Sequence, residues 1–328
     1  MKPERSQRST GRHVVALGGG TGLAALLRGL KRRVGAELAG LTAIVAVTDD
    51  GGSSGRLRRD FGVLPPGDVR NNLAALADDT DLLTRLFQYR FAGGEGLEGH
   101  SFGNLFLAAL TELTGDFPQA ILTAERVLSV RGRILPATLD SVHLRGFGAS
   151  GRVYEGETLI GRSGERLERI ELVPAGRPAY PPALEAIAAA DLVLLGPGSL
   201  YTSILPNLLF PEIAEALRAT PAPVVLVLNL MTQPGETDGL DGLDHLGAIE
   251  SHLGAGIVDA VLVHGPEIAA ERLAPYREEG AERVPIDASA LRARGLELLE
   301  ADLLAAEGLV RHDPDKLARK VVALLERP

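Results

Sequence analysis

The sequence predicts an α/β fold: a mainly parallel sheet flanked by helices, with a small antiparallel β insertion. Three observations predict it. Short apolar runs alternate with helical stretches, the rhythm of βαβ units. Those runs end in clusters rich in Gly, Asp and Asn. One stretch, at about 133–174, breaks the rhythm with glycines and short alternation. In an open α/β sheet the loops at the carboxyl ends of the strands form the ligand crevice. Gly-rich loops there leave backbone N–H groups free, which suits phosphate.

The composition limits the function classes. The chain has 328 residues, 45% of them hydrophobic and 23% charged, ordinary for a globular protein. The formal net charge is −9, which disfavours general nucleic-acid binding. There are no cysteines, so disulfides, thiolate catalysis and Cys-based zinc sites are excluded. The longest apolar run, around Val224 to Leu228, is far too short to span a bilayer. Met1 to Arg12 is polar and basic without an apolar centre. It is not a secretory signal, and residues 1–12 are expected to be a disordered tail ahead of one α/β domain at 13–328.

The elements follow in order. His13 to Leu17 is an apolar run ending in glycines. From Thr21 to Arg33, Leu23, Leu26, Leu27 and Leu30 fall at i, i+3, i+4 and i+7, a helix with one buried face. Leu41 to Val47 is a second buried strand, so the chain opens as βαβ and its sheet is expected to be parallel. From Asp68 to Ser129 the pattern is helical, with Gly115 as a C-cap and Asp116 as an N-cap before Pro118. Arg133 to Pro174 reads as antiparallel strands and hairpins. The α/β rhythm returns with helix Ala183–Ala190, strand Leu192–Leu195, helix Glu212–Arg218, strand Val224–Leu228, helix Leu243–Leu253 and strand Val258–Val263. Asp313 then caps a C-terminal helix through Leu325.

The motifs narrow the chemistry. Gly18-Gly19-Gly20-Thr21-Gly22 follows a strand and opens a helix. A dinucleotide fingerprint fails because its sixth position is Leu23, and no Gly-Lys-Ser/Thr follows to make a Walker loop. A phosphate loop at a helix N-terminus remains, with Gly19, Gly20, Thr21 and Gly22 as contacts; the bland alternative is a tight turn. Asp49 and Asp50 end the next strand, before Gly51, Ser53, Ser54 and Arg56. One of the two could bond a ribose hydroxyl, or the pair could hold Mg²⁺, with Asp50 the candidate metal ligand; an Asx-turn is the bland reading. Asp68 reads as a helix N-cap, with Arg70 and Asn71 in the first turn facing the crevice. His100, Ser101 and Asn104 lie in a loop before a helix. The Gly-x-Ser-x-Gly around Ser101 lacks a preceding strand, so it is not a nucleophile elbow. Gly198, Ser199 and Thr202 follow one strand, and Asn229, Thr232 and Gln233 follow the next, which points to one shared crevice.

At these residues the chain resembles the gluconeogenesis-factor family (YvcK type), within the CofD-like or 2-phospho-L-lactate transferase superfamily. The resemblance runs from His13 to the end. It rests on GGGTGL, TDDGGSSGRLR, PPGDVRNNL, GHSFGNL, GPGSLYTSILPNLL, NLMTQPGETDG and VRHD, in that order. It implies a Rossmann-like three-layer α/β/α fold in the cytoplasm. It also implies a role in morphogenesis, cell-shape and cell-wall maintenance during growth on gluconeogenic carbon. The implied ligand is a UDP-sugar, UDP-N-acetylglucosamine above all, or another nucleoside diphosphate. The family's uridine contacts correspond here to Tyr276 and Arg311. The implied partner is a protein of envelope metabolism; no nucleic acid or membrane span is expected, and self-association stays open. No cofactor is implied with certainty, and Mg²⁺ is the one candidate. The alternative is the transferase branch, joining a phospholactyl group from a nucleotide-activated donor to a deazaflavin. That branch carries a Ser-Asn-Pro loop where this chain has GPGSLYTSILPN. An NAD-binding Rossmann-like enzyme is the third reading, weakened by Leu23.

Overall fold

The computed structural model describes residues 11–78 and 82–327. Residues 1–10 of the expected tail lie outside the described residues. Arg12 does not belong to a loose tail, because its carbonyl accepts from the Ala39 N–H at 2.8 Å.

The chain opens as expected. Strand β1 (His13–Gly18) leads into helix α1 (Gly20–Leu30), which buries Leu23, Leu26, Leu27 and Leu30 on one face. Strand β2 (Gly40–Val45) pairs in parallel with β1. The glycine-rich run after it opens a helix, α2 (Gly52–Phe61). Helices α3 (Gly67–Leu76), α4 (Leu82–Gln88), α5 (Phe102–Thr114) and α6 (Phe117–Val127) follow. Gly115 closes α5 in the left-handed conformation, φ 67°, which glycine adopts without a Cβ penalty.

Strand β3 (Arg133–Pro136) corrects the insertion's boundary. It pairs in parallel with β2 at the edge of the main sheet and is no part of the antiparallel unit. Its residues Ile134 and Leu135 are buried by that sheet, which a four-residue run cannot announce by alternation. The antiparallel unit is β4 (His143–Gly148), β5 (Val153–Glu155) and β6 (Leu167–Val173), in the order β5-β4-β6, with the short helix α7 (Glu157–Ile160) between β5 and β6.

Then come α8 (Pro181–Ala189), β7 (Leu192–Leu195), a π-helical turn at Leu200–Ile204, α9 (Leu205–Leu208), α10 (Pro211–Ala219) and β8 (Val224–Val227). Helix α11 (Gly242–Leu253), β9 (Ala260–His264), α12 (Ala270–Glu278), α13 (Ala288–Ala293), β10 (Glu297–Ala301) and α14 (Pro314–Leu325) complete the chain. The Asp313 carboxylate caps α14 as expected, accepting from the N–H groups of Asp315 and Lys316.

The main sheet has seven strands in the order β10-β9-β8-β7-β1-β2-β3, all pairs parallel. Side chains alternate across it. Val15 and Leu17 of β1 join one apolar core, with α8, α10 and α11, while Val14 and Ala16 join the other, with α1, α3 and α14. Both faces are therefore covered, which is why these strands read as continuous apolar runs. The chain proceeds outward from β1 to β2 and β3, then returns to β7 on the other side of β1. That reversal places the crevice between the ends of β1 and β7.

Candidate functional site

The β1 and β7 loops meet at the reversal. Gly20 takes φ +58°, with little around a notional methyl there, so glycine is needed for the turn. A Cβ on Gly22 would fall 2.5 Å from the Pro197 carbonyl oxygen, so glycine is needed there for close approach of the two loops. The α1 N-terminus has no capping side chain of its own. An N–H of Gly20 is instead bonded by the Asp68 carboxylate. Asp68 is thus not the N-cap of α3, a position held by Pro66; it reaches from the first turn of α3 to α1. Its carboxyl is pushed up to about 7 by burial first and by Asp49 second, against the Gly20 N–H, Arg70 and Asn71.

Beside this junction lies a cleft of about 280 Å³. Asp49, Gly51, Gly52, Ser53 and Ser54 line one wall, at the end of β2 and the start of α2; Gly67, Arg70, Asn71, Arg90 and Asn104 line the other. Motifs about fifty residues apart converge here. Ser53 Oγ lies 3.0 Å from His100 Nδ1, the Asn104 amide donates to Ser54 Oγ at 3.3 Å, and Arg70 donates to Asn71 Oδ1 at 2.7 Å. Burial first, then Arg56, lowers the His100 pKa, so its ring is neutral at pH 7. Arg56 donates to the Glu98 carbonyl at 2.7 Å and so fixes the loop before Ser101. Residues 92–98 form no strand, which agrees with discounting a nucleophile elbow at Ser101. Three buried polar atoms here have no protein partner: Arg70 Nε, Ser101 Oγ and Asn104 Oδ1. Buried polar groups are normally paired, so these are sites for a ligand or water. Arg70, Arg90 and the N-terminus of α2 suit an anion.

Carboxylates stand on the opposite side. Asp49 Oδ1 accepts from Gly51 N–H at 2.9 Å, an Asx-turn. Asp50 Oδ1 accepts from the Thr158 N–H at 2.9 Å and its hydroxyl at 2.7 Å, so Asp50 faces the antiparallel unit. Glu157 of α7 accepts from Thr48 Oγ1 at 3.1 Å. Burial, then Asp68 and Asp49, push its pKa well above the ordinary value. The sequence reading missed Glu157 and Thr158, because only the fold brings α7 onto the end of β2. It also missed Arg90. Among the described residues no group of three or more His, Cys, Asp or Glu is arranged to hold a metal ion. The Asp50 carboxylate, the residue expected to bind Mg²⁺, is engaged by Thr158.

Other candidates turn inward. Ser199 Oγ donates to Glu236 Oε1 at 2.5 Å, and Thr202 Oγ1 donates to Ser199 Oγ at 2.7 Å. The buried Glu236 carboxyl also accepts from the Tyr201 N–H at 2.8 Å, so it already fills the acceptor position at the π-helical turn, and burial raises its pKa. Glu236→Ala should therefore cost about 2–3 kcal/mol, because it strands buried donors, whereas Glu236→Gln should cost less; urea denaturation reads both. Asn229 exchanges hydrogen bonds with Gly198, its Nδ2 donating to the carbonyl at 2.8 Å. Thr232 Oγ1 accepts from the Glu282 N–H at 2.9 Å. Gln233 Oε1 is buried and unpartnered. Thr21 is exposed beside the glycine loop. The Tyr276 hydroxyl accepts from the Val310 N–H at 2.9 Å, one residue before the exposed Arg311.

Residues 14–304 match the protein family described as 2-phospho-L-lactate transferase CofD. With its parallel sheet and the cleft beside the β1–β7 junction, this is a CofD-like α/β protein. Within that class, the chain belongs to the gluconeogenesis-factor family. It is 47% identical over 312 residues to the gluconeogenesis factor of Halalkalibacterium halodurans, covering 95% of this chain and 96% of that one. It is 46% identical over 314 residues to the gluconeogenesis factor of Bacillus subtilis, covering 95% and 98%. An X-ray crystal structure of a Bacillus halodurans protein superposes with a TM-score of 0.91 at 46% identity, covering 96% of this chain and all of the other. Among the described residues no helix is long and apolar enough to cross a membrane.

Proposed function

We propose that this gluconeogenesis-factor homologue is a cytoplasmic binding protein for a UDP-sugar of the UDP-N-acetylglucosamine kind. It would act on a protein partner in cell-shape and cell-wall maintenance during gluconeogenic growth. The observation that carries the reading is the cleft. It sets Arg70 and Arg90, with the unpartnered Arg70 Nε and Asn104 Oδ1, against Asp49. Cationic donors suit a diphosphate, and carboxylates suit sugar hydroxyls. A nucleophile is missing from the reading: Ser101 has no elbow, and Ser199 is bonded to Glu236. A thermal-shift panel of UDP-sugars, GDP, NAD and a deazaflavin, with and without Mg²⁺, tests it. A ligand at 100 times its dissociation constant should add about 2.7 kcal/mol, and the UDP-sugar should give the largest shift. Stabilisation by GDP with deazaflavin alone would count against it.

The transferase reading is favoured by one observation. Asp68, held at about 7 beside Asp49, could take a proton from an attacking hydroxyl near neutral pH. Deazaflavin-dependent release of GMP from a guanylyl donor is its test.

A further inference from the structure

Helix α2 runs from the cleft to the surface. Its first turn lines the cleft, and it buries Ser53, Ser54, Gly55 and Leu57. The remaining side carries Arg56, Arg58, Arg59 and Phe61. Arg59 and Phe61 are exposed, Phe61 by 56%. Gly62 ends the helix in the left-handed conformation, φ 66°, so Phe61 stands at its tip. Arg56 and Arg59, three residues apart, share one side, and Arg58 and Phe61 share another. The guanidiniums have neutral partners or none. Arg56 donates to the Glu98 carbonyl at 2.7 Å and Arg58 to Ser141 Oγ at 2.9 Å. Among the described residues none of the three arginines is in an ion pair, whereas Arg145, Arg169 and Arg294 each have a carboxylate partner. The nearby carboxylates are engaged elsewhere: Asp50 accepts from Thr158, and Asp140 faces Arg177 at 3.9 Å. Asp60 is the exposed carboxylate of α2 itself.

Resting on the reading above that the protein acts on a protein partner, we infer that the outer side of α2 docks an acidic segment of that partner. Its carboxylates meet Arg56, Arg58 and Arg59, and an apolar side chain lies against Phe61. The helix dipole accounts for arginines in the last turn, Arg58 and Arg59. It does not account for Arg56, in the N-terminal half of the helix. A guanidinium has five donors, so Arg56 and Arg58 keep some for a carboxylate beyond the bonds they already make. The chain as a whole carries a net charge of −9. A positive strip on such a body steers an acidic segment to one place. The Arg58 hydrogen bond also brings residues 139–141 beside the helix, and Leu139 there is 44% exposed. Apolar side chains rimmed by charge mark protein contacts, where arginine and aromatic residues are enriched. The net charge disfavours a nucleic acid, which needs a broad basic surface. Because α2 begins in the cleft, a partner on its outer side is one helix away from the ligand.

Fluorescence anisotropy of the full chain with short labelled peptides tests this. The probe alternates glutamate with leucine. One control peptide replaces glutamate by glutamine, another replaces leucine by serine, and oligothymidylate is the nucleic-acid control. The glutamate–leucine peptide should bind about tenfold more tightly than either control peptide, and added salt should weaken it. Arg59→Glu and Phe61→Ala change exposed side chains, and circular dichroism checks that both variants fold. Each should weaken the peptide by about tenfold, with affinity for UDP-N-acetylglucosamine unchanged. No binding of the glutamate–leucine peptide, or binding that both variants leave unchanged, would overturn the inference while UDP-sugar binding stands. Tighter binding of oligothymidylate, lost in Arg59→Glu, would overturn it in favour of a nucleic acid. Peptide binding that the two variants weaken, in a chain that binds no UDP-sugar, would uphold this surface and overturn the ligand reading alone.

Discussion

Asp68→Asn is expected to make the protein more stable at pH 8 and to alter how it binds a diphosphate. Asp68 is buried and its carboxyl is held at about 7, against an ordinary 3.8. Below about pH 4 the group is protonated in both folded and unfolded chains. Between about 4 and 7 the unfolded chain has lost the proton and the native chain has kept it, so stability falls as pH rises through that window. A shift of about 3 units amounts to about 4 kcal/mol above pH 7. Asparagine keeps an oxygen for the Gly20 N–H and never ionises. It should recover about 1–3 kcal/mol of that at pH 8 and almost none at pH 4, once an imperfect hydrogen bond is allowed for. Chemical denaturation at the two pH values reads the difference. Equal destabilisation at both would show that the carboxyl is not strained by burial. A phosphate approaching α1 meets the same carboxylate, so wild-type diphosphate binding should weaken as pH rises through 7. The asparagine variant should lose that dependence.

Gly22→Val should be the most damaging change in the glycine loop. A Cβ there meets the Pro197 carbonyl oxygen at 2.5 Å, its carbon at 2.8 Å and the Gly198 Cα at 2.9 Å. All three are backbone, so the β1 and β7 loops must separate. Overpacking costs about 1–3 kcal/mol, and occasionally more, and the upper end is expected because no side chain can swing aside. Gly52→Ala is the control. Gly52 has φ +44° with nothing within 4 Å of a notional Cβ, so only the turn is strained, for about 1 kcal/mol. If the two substitutions proved equally costly in urea titrations, close approach of the loops would not be what requires Gly22.

The parallel sheet was legible because both of its faces are buried: Leu192–Leu195 and Val224–Val227 are apolar throughout, and glycine or asparagine marks their ends. The convergence of Ser53, Ser54, His100 and Asn104 was legible only as separate motifs, since nothing in a sequence states that α2 and α5 touch. Glu157 was invisible for the same reason. It lies in a short helix of the antiparallel unit, and its character comes from burial beside Asp68 and Asp49. Asp68 itself was read correctly as a helix-start residue of interest but given the wrong task. A carboxylate two residues after prolines looks like a cap, and only the packing of α3 on α1 turns it toward Gly20. Ser199 looked like a phosphate ligand because its partner Glu236 lies 37 residues away.

The central claim is that the crevice holds a nucleoside-diphosphate sugar without transforming it. Its most direct test is calorimetric titration of the full chain with UDP-N-acetylglucosamine, followed by mass spectrometry of the ligand recovered after prolonged incubation. Saturable one-to-one binding, weakened at least tenfold by Arg70→Ala, with the UDP-sugar recovered intact, is the expected result. No binding, binding indifferent to Arg70, or a ligand recovered as UDP and free sugar would contradict it.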